Sequence, residues 1–190
     1  MFRRFLRFGS SAPTDIKPET RLPESTVGET ATVRRIVARL EAMPPQEARY
    51  LAGFAYVMSR AAHADLDISD SETTAMERAV LELGGLDEAQ AVLVVQLAKL
   101  QARGHGETED FVVTREFGKI ATLDQKLALL RCCFLVAVAD GSISADEAAV
   151  VNEIANELDV ARPDLNKVRE EFVERFSAIQ AMRRREHAAG

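Results

Sequence analysis

Apolar residues recur along this chain at the three-and-four spacing of one buried helix face, and no stretch sustains strict alternation. The first stripe is Val33, Ile36, Val37 and Leu40, which predicts a helix over residues 30–43. Pro44 and Pro45 stop it and open the next, because proline lacks an N–H yet fits a first helical turn. That second helix carries Leu51, Phe54, Val57, Met58 and Ala61 to about residue 63. A third spans 70–83 and stops at Gly84 and Gly85. A fourth starts after Asp87, a suitable N-cap, and carries Val92, Val95, Leu97 and Leu100 as far as Gly104. Phe111, Val112, Arg115 and Phe117 mark a shorter helix over 108–119. Thr122 and Gln125 read as a capping box that opens a helix holding Leu127, Leu130, Phe134, Leu135 and Val138. The next helix spans 145–158, with Val150, Val151, Ile154 and Leu158 inward. Pro163 opens the last, a long stripe of Leu165, Val168, Phe172, Phe176, Ile179 and Met182 that Arg183, Arg184 and Arg185 close. The fold class expected is all-α, a compact bundle of about seven to eight helices.

Two of the polar interruptions read alike. Ala64-Asp65-Leu66-Asp67-Ile68-Ser69-Asp70-Ser71-Glu72 and Ala139-Asp140-Gly141-Ser142-Ile143-Ser144-Ala145-Asp146-Glu147 agree at five of nine positions, 75 residues apart and with no gap. Each lies between two apolar helices. A helix–acidic turn–helix unit that occurs twice predicts internal repeats, about 45–104 and 120–187, packed with pseudo-twofold symmetry. Residues 29–187 then form the helical domain.

Residues 1–28 differ in character. Arg3, Arg4 and Arg7 interleave with Phe2, Phe5, Leu6 and Phe8, a pattern suited to peripheral contact with an anionic membrane surface through residues 1–8. Pro13, Pro18 and Pro23 recur among Ser, Thr and Glu over 9–28, so that stretch reads as a flexible linker.

Composition narrows the function classes. A chain of 190 residues buries roughly 70% of its unfolded surface and needs neither disulfide nor metal to hold a core. The net charge is -6, and the cations are scattered except at the termini, so no basic face is dense enough for nucleic acid. No apolar run approaches the roughly 20 residues of a membrane span. Cys132 and Cys133 are adjacent and cannot close a normal disulfide; in an apolar helical run at least one reads as a small buried hydrophobe, which suits a reducing, cytoplasmic setting, with the inner face of the membrane within reach of the arm.

The acidic turns carry the candidate chemistry. Ser69 with Glu72, and Ser144 with Glu147, form capping boxes, and Ile68 and Ile143 suit the hydrophobic staple. Capping leaves Asp65 and Asp140 unexplained. Each sits at the C-terminal end of an apolar helix, where the dipole opposes a negative charge. One account is an Asx-type turn onto the backbone that follows. The other is a hard divalent cation held by oxygen donors, with Asp65, Asp67, Glu72, Asp140 and Glu147 as candidate ligands. Ca²⁺, Mg²⁺ or Mn²⁺ is favoured over Zn²⁺, since His63, His105 and His187 are scattered. The Asp-to-Glu spacing is too short for an EF-hand. No phosphate-binding glycine loop, serine nucleophile elbow or Cys/His pair is present, so a non-enzymatic role is expected.

Val138-Ala139-Asp140-Gly141-Ser142-Ile143 with Glu147 resembles the motif of the TerB family of tellurite-resistance proteins, and is similar to the N-terminal module of the DjlA membrane co-chaperone. Ala64-Asp65-Leu66-Asp67-Ile68 with Glu72 matches less well, because Leu66 stands where the motif has glycine. The resemblance spans about residues 29–185. It implies an all-helical domain of tellurite and stress response that binds a divalent metal through Asp65, Glu72, Asp140 and Glu147, or a protein partner such as a membrane-bound stress-response component. It does not imply J-domain activity, since the chain has no His-Pro-Asp tripeptide. The competing expectation is a structural or scaffolding domain whose acidic turns are helix caps alone.

Overall fold

The computed structural model describes residues 24–62, 70–102, 110–139 and 141–188, and the side chains of most of them. Among these residues are nine α-helices: α1 (Glu24–Ala42), α2 (Pro45–Ala61), α3 (Asp70–Glu82), α4 (Glu88–Ala102), α5 (Asp110–Ile120), α6 (Leu123–Ala137), α7 (Ala145–Glu157), α8 (Arg162–Glu171) and α9 (Ser177–Ala188). A short 3₁₀ turn, Val173–Arg175, joins the last two. No β-strand occurs among the described residues; the one extended pairing is an isolated bridge between Ile143 and Phe176. The all-α expectation holds. Residues 1–8, expected to meet a membrane, lie outside the described residues. No described helix is long and apolar enough to cross a membrane.

Contacts divide the chain into two units, 1–49 and 50–190. In the first, α1 begins at Glu24, inside the stretch expected to be linker. The reason is local. Pro23 is the last proline before Pro44, so nothing from Glu24 onward removes a helical N–H. Ile36 and Leu40 are its buried positions, as the stripe predicted.

The second unit is built around α6. This helix packs against α3, α7 and α8, so it is covered on most of its circumference. Leu129, Leu130, Cys132, Cys133, Phe134, Val136 and Ala137 are all buried, well beyond a single stripe. Its start is the predicted capping box: the Thr122 hydroxyl accepts from the Gln125 N–H and the Gln125 side chain accepts from the Thr122 N–H at 2.8 Å. Asp87 and Gln90 cap α4 in the same reciprocal way, at 2.8 and 3.1 Å. At the other end of α3, Gly85 adopts φ +66°, the left-handed stop the Gly84-Gly85 pair predicted. Gly53 serves a different purpose. A Cβ there would lie 2.6 Å from a ring carbon of Phe117, so the glycine makes room for that ring. Phe117 in turn stacks on Tyr50 at 5.4 Å.

Three expected stripes need correction. In α4 the run from Ala91 to Ala98 is apolar almost throughout, and periodicity alone could not choose its face; Leu93 and Val94 are buried while Val92 is exposed. In α5 the buried face is Thr114 and Phe117, and Phe111 and Val112 are exposed. The last helix is not continuous. Residue Phe172 leaves helical geometry at φ -114°, ψ 8°, and Phe176 is extended at φ -66°, ψ 128°. The helix gives up its own bonds there and gains others. Phe172 stacks on Phe134 of α6 at 5.4 Å, Phe176 meets the same ring edge-on at 6.2 Å, and the freed backbone pairs with Ile143. Met182, beyond the break, is exposed.

Candidate functional site

The second acidic turn starts where α6 runs out. Val138 donates to the Phe134 carbonyl at 3.1 Å; Ala139 donates to Val136 at 2.9 Å and Gly141 to Val138 at 2.7 Å. The last two of these, from i to i-3, tighten the exit from the helix. Gly141 has φ +94°, a conformation that costs an L-residue roughly 1–2 kcal/mol. A Cβ at Gly141 would meet nothing within 4 Å, so the glycine is required by backbone conformation and not by crowding.

Ile143 follows and is 1% exposed. Its side chain anchors the turn in the core. Its backbone is held from the other side: Ile143 N–H donates to the Arg175 carbonyl at 2.8 Å, and Ser177 N–H donates to the Ile143 carbonyl at 2.9 Å. Gln180 of α9 adds a third tie, its Nε2 donating to the Gly141 carbonyl at 3.2 Å and to the Glu174 carbonyl at 3.3 Å. Glu174 is itself held by Arg183 at 2.6 Å.

Ser144 then caps α7 with φ -74° and ψ 169°. Its hydroxyl accepts from the Glu147 N–H at 3.2 Å, and Glu147 Oε2 accepts from the Ser144 N–H at 2.7 Å. This is the predicted capping box. It leaves Glu147 Oε1 with no hydrogen bond to a described residue. Asp146 shares the first turn of α7 and is exposed to solvent.

Of the five candidate ligands, Glu147 is the one whose side chain is described. Asp65, Asp67 and Asp140 lie outside the described residues, and of Glu72 only the backbone, in the first turn of α3, is described. No group of three or more His, Cys, Asp or Glu side chains gathers in metal-binding range among the described residues. Glu147 fits a hard cation in two respects: its donor is oxygen, and one carboxylate oxygen is left over after capping.

A second polar cluster lies at the far end of α7. A groove of about 390 Å³ is bordered by Phe111, Arg115, Lys119, Lys126, Glu157 and Asp159 among others. Lys126 and Glu157 of its lining are engaged within the fold. Lys126 Nζ donates to the Leu158 carbonyl at 2.8 Å, which caps α7. Asp159 takes φ +56° and donates its N–H to Asn156 at 3.1 Å, while Val160 donates to Ala155 at 3.0 Å. Together these two bonds are a Schellman stop with aspartate in the place glycine usually holds. Glu157 pairs with Arg60 of α2, both less than 10% exposed, and Arg60 also donates to the buried Thr114 hydroxyl of α5 at 2.7 Å. Sequence reading missed this triad. Its signal was Arg60 itself, a charge inside the apolar run of α2, which calls for a buried partner.

The cysteines are free and fully buried, and Cys132 Sγ lies 3.2 Å from the Ala79 carbonyl. Burial pushes the Cys132 thiol from 9.0 up to about 12, and pushes Cys133 up as well despite nearby Arg60. Both fit the small-hydrophobe reading and lack the thiolate character of a reactive site.

No curated protein matches the chain, and no solved structure does. A family model does: tellurite resistance protein TerB, matched over residues 51–170, a narrower stretch than the expected 29–185. That match covers well over half the chain and contains α6, the acidic turn with Gly141 in its left-handed conformation, and the capped start of α7. The chain belongs to the TerB family.

Proposed function

We propose that this TerB domain is a non-enzymatic, cytoplasmic module of tellurite and stress response that binds a divalent cation, Ca²⁺, Mg²⁺ or Mn²⁺, at its acidic turns and through them engages a protein partner. The observation that carries this reading is the second turn itself. Its serine, isoleucine and one oxygen of Glu147 are used in holding the turn, and the remaining oxygen of Glu147 has no hydrogen bond to a described residue, at the start of a helix whose first turn also holds Asp146. Asp140 is not needed for the cap, and its charge beside the end of α6 is unfavourable without a cation. Asp140 and Glu147 would hold the ion at this turn, and Asp65, Asp67 and Glu72 at the first. A bound ion would neutralise the turn and fix the surface it presents to a partner.

Thermal melting tests this. A ligand that binds only the folded chain stabilises it, by about 2.7 kcal/mol at a hundredfold excess over its Kd. The melting temperature should rise with millimolar Ca²⁺, Mg²⁺ or Mn²⁺ and should not rise in Asp65→Asn/Asp140→Asn. An equal rise in both proteins, or none in either, would remove the cation from the account and leave the acidic turns as caps.

A further inference from the structure

We infer that residues 172–183 form a clamp that sets the shape of the second acidic turn, with Gln180 as its positioning residue. As a statement about the cation site it rests on the function proposed above. The clamp lies beyond residues 51–170, so it is supplied by a part of the chain the family match does not reach.

The clamp has two grips. One is on α6, the helix that delivers the chain to the turn: Phe172 and Phe176 both pack on the Phe134 ring. The other is on the turn. Arg175 and Ser177 bracket Ile143 through two backbone hydrogen bonds, and Gln180 reaches the Gly141 carbonyl at 3.2 Å. The helix break makes the second grip available. In a continuous helix the Arg175 carbonyl and Ser177 N–H would bond within their own element; the 3₁₀ turn Val173–Arg175 frees both. Gln180 closes the arrangement, because the same amide also donates to the Glu174 carbonyl and so ties the turn to the clamp's own bend.

The consequence concerns which oxygens face a cation. Gly141 sits at φ +94°, where glycine has more than one accessible backbone conformation. A donor fixed on its carbonyl selects one of them and turns that oxygen toward α9. That carbonyl is therefore withheld from a cation at the turn, and the shape of the turn is set by whether Gln180 holds.

Amide hydrogen exchange on the full chain tests the clamp with no cation present. Gln180→Met keeps the length and removes the donor. The Gly141 and Ile143 amides should exchange about fivefold faster, the effect of losing one ordinary hydrogen bond, while amides in the middle of α7 keep their rates. Gln180→Lys, which restores a donor, should bring the protection back. Unchanged rates in Gln180→Met, a uniform acceleration across α7, or failure of the lysine to restore protection would each overturn the clamp. Titration with Mn²⁺ tests the link to the site: Gln180→Met should weaken binding by a similar factor, and an unaltered affinity alongside faster exchange would break that link. If the unaltered chain binds no Mn²⁺, Mg²⁺ or Ca²⁺, the proposed function falls, while the exchange rates still decide the clamp.

Discussion

The two ends of α7 are both rich in charge, and they use it differently. At the C-terminal end Glu157 is buried against Arg60, Lys126 caps the Leu158 carbonyl, and the backbone of Asp159 makes the Schellman stop. Those groups hold the fold together. At the N-terminal end the capping box takes one oxygen of Glu147 and leaves the other, while the turn is held by backbone bonds and by Gln180. A cluster of charges is a candidate site only where the structure is secured by something else. By that criterion the groove is architecture and the acidic turn is the candidate site.

The largest effect expected on breaking this contrast is at the C-terminal end. Arg60→Met leaves Glu157 buried without its partner and should cost about 3–5 kcal/mol in denaturant unfolding. A loss under about 1 kcal/mol would mean the pair is not a structural tie. At the N-terminal end the largest effect comes from the backbone. Gly141→Ala should cost roughly 1–2 kcal/mol from its left-handed φ, with the core unaltered; a neutral result would mean the turn relaxes. Smaller still is the cap. Ser144→Ala should cost about 1 kcal/mol, whereas Glu147→Gln should change stability by less, since glutamine also suits that place in the box. Equal losses in Ser144→Ala and Glu147→Gln would indicate that the Glu147 charge is structural after all.

The smallest effect near neutral pH is at the thiols. Because the folded Cys132 is raised from 9.0 to about 12, its contribution to stability is whole below pH 9 and drains as pH climbs toward 12. Thiol reagents should leave both cysteines unmodified at pH 8 until denaturant is added. Rapid labelling of the folded chain would contradict the burial.

Much of this was legible in the sequence because it is local. Helix starts at Thr122, Ser144 and Asp87 follow from side chains reaching three residues along the chain, and the stop at Gly85 follows from the positive φ that glycine tolerates. What was not legible depends on partners far away. No proline or glycine marks the break at Phe172, since its cause is Phe134, some forty residues earlier, together with the unpaired backbone of Ile143. The face of α4 could not be chosen because its apolar run is continuous, and the α6 stripe was too narrow because three neighbours cover that helix. Gln180 carried no signal at all: a glutamine on a half-exposed helix face is ordinary until its amide is found on Gly141.

The central claim, that the second acidic turn is a site and not merely a cap, is tested most directly by calorimetric titration of Ca²⁺, Mg²⁺ and Mn²⁺ into the full chain and into Asp140→Asn/Glu147→Gln. The account predicts saturable binding by the unaltered chain and loss of that binding in the variant with its melting temperature nearly kept, because neither substitution removes the cap. Saturable binding retained by the variant, or no binding by a folded chain, would contradict it.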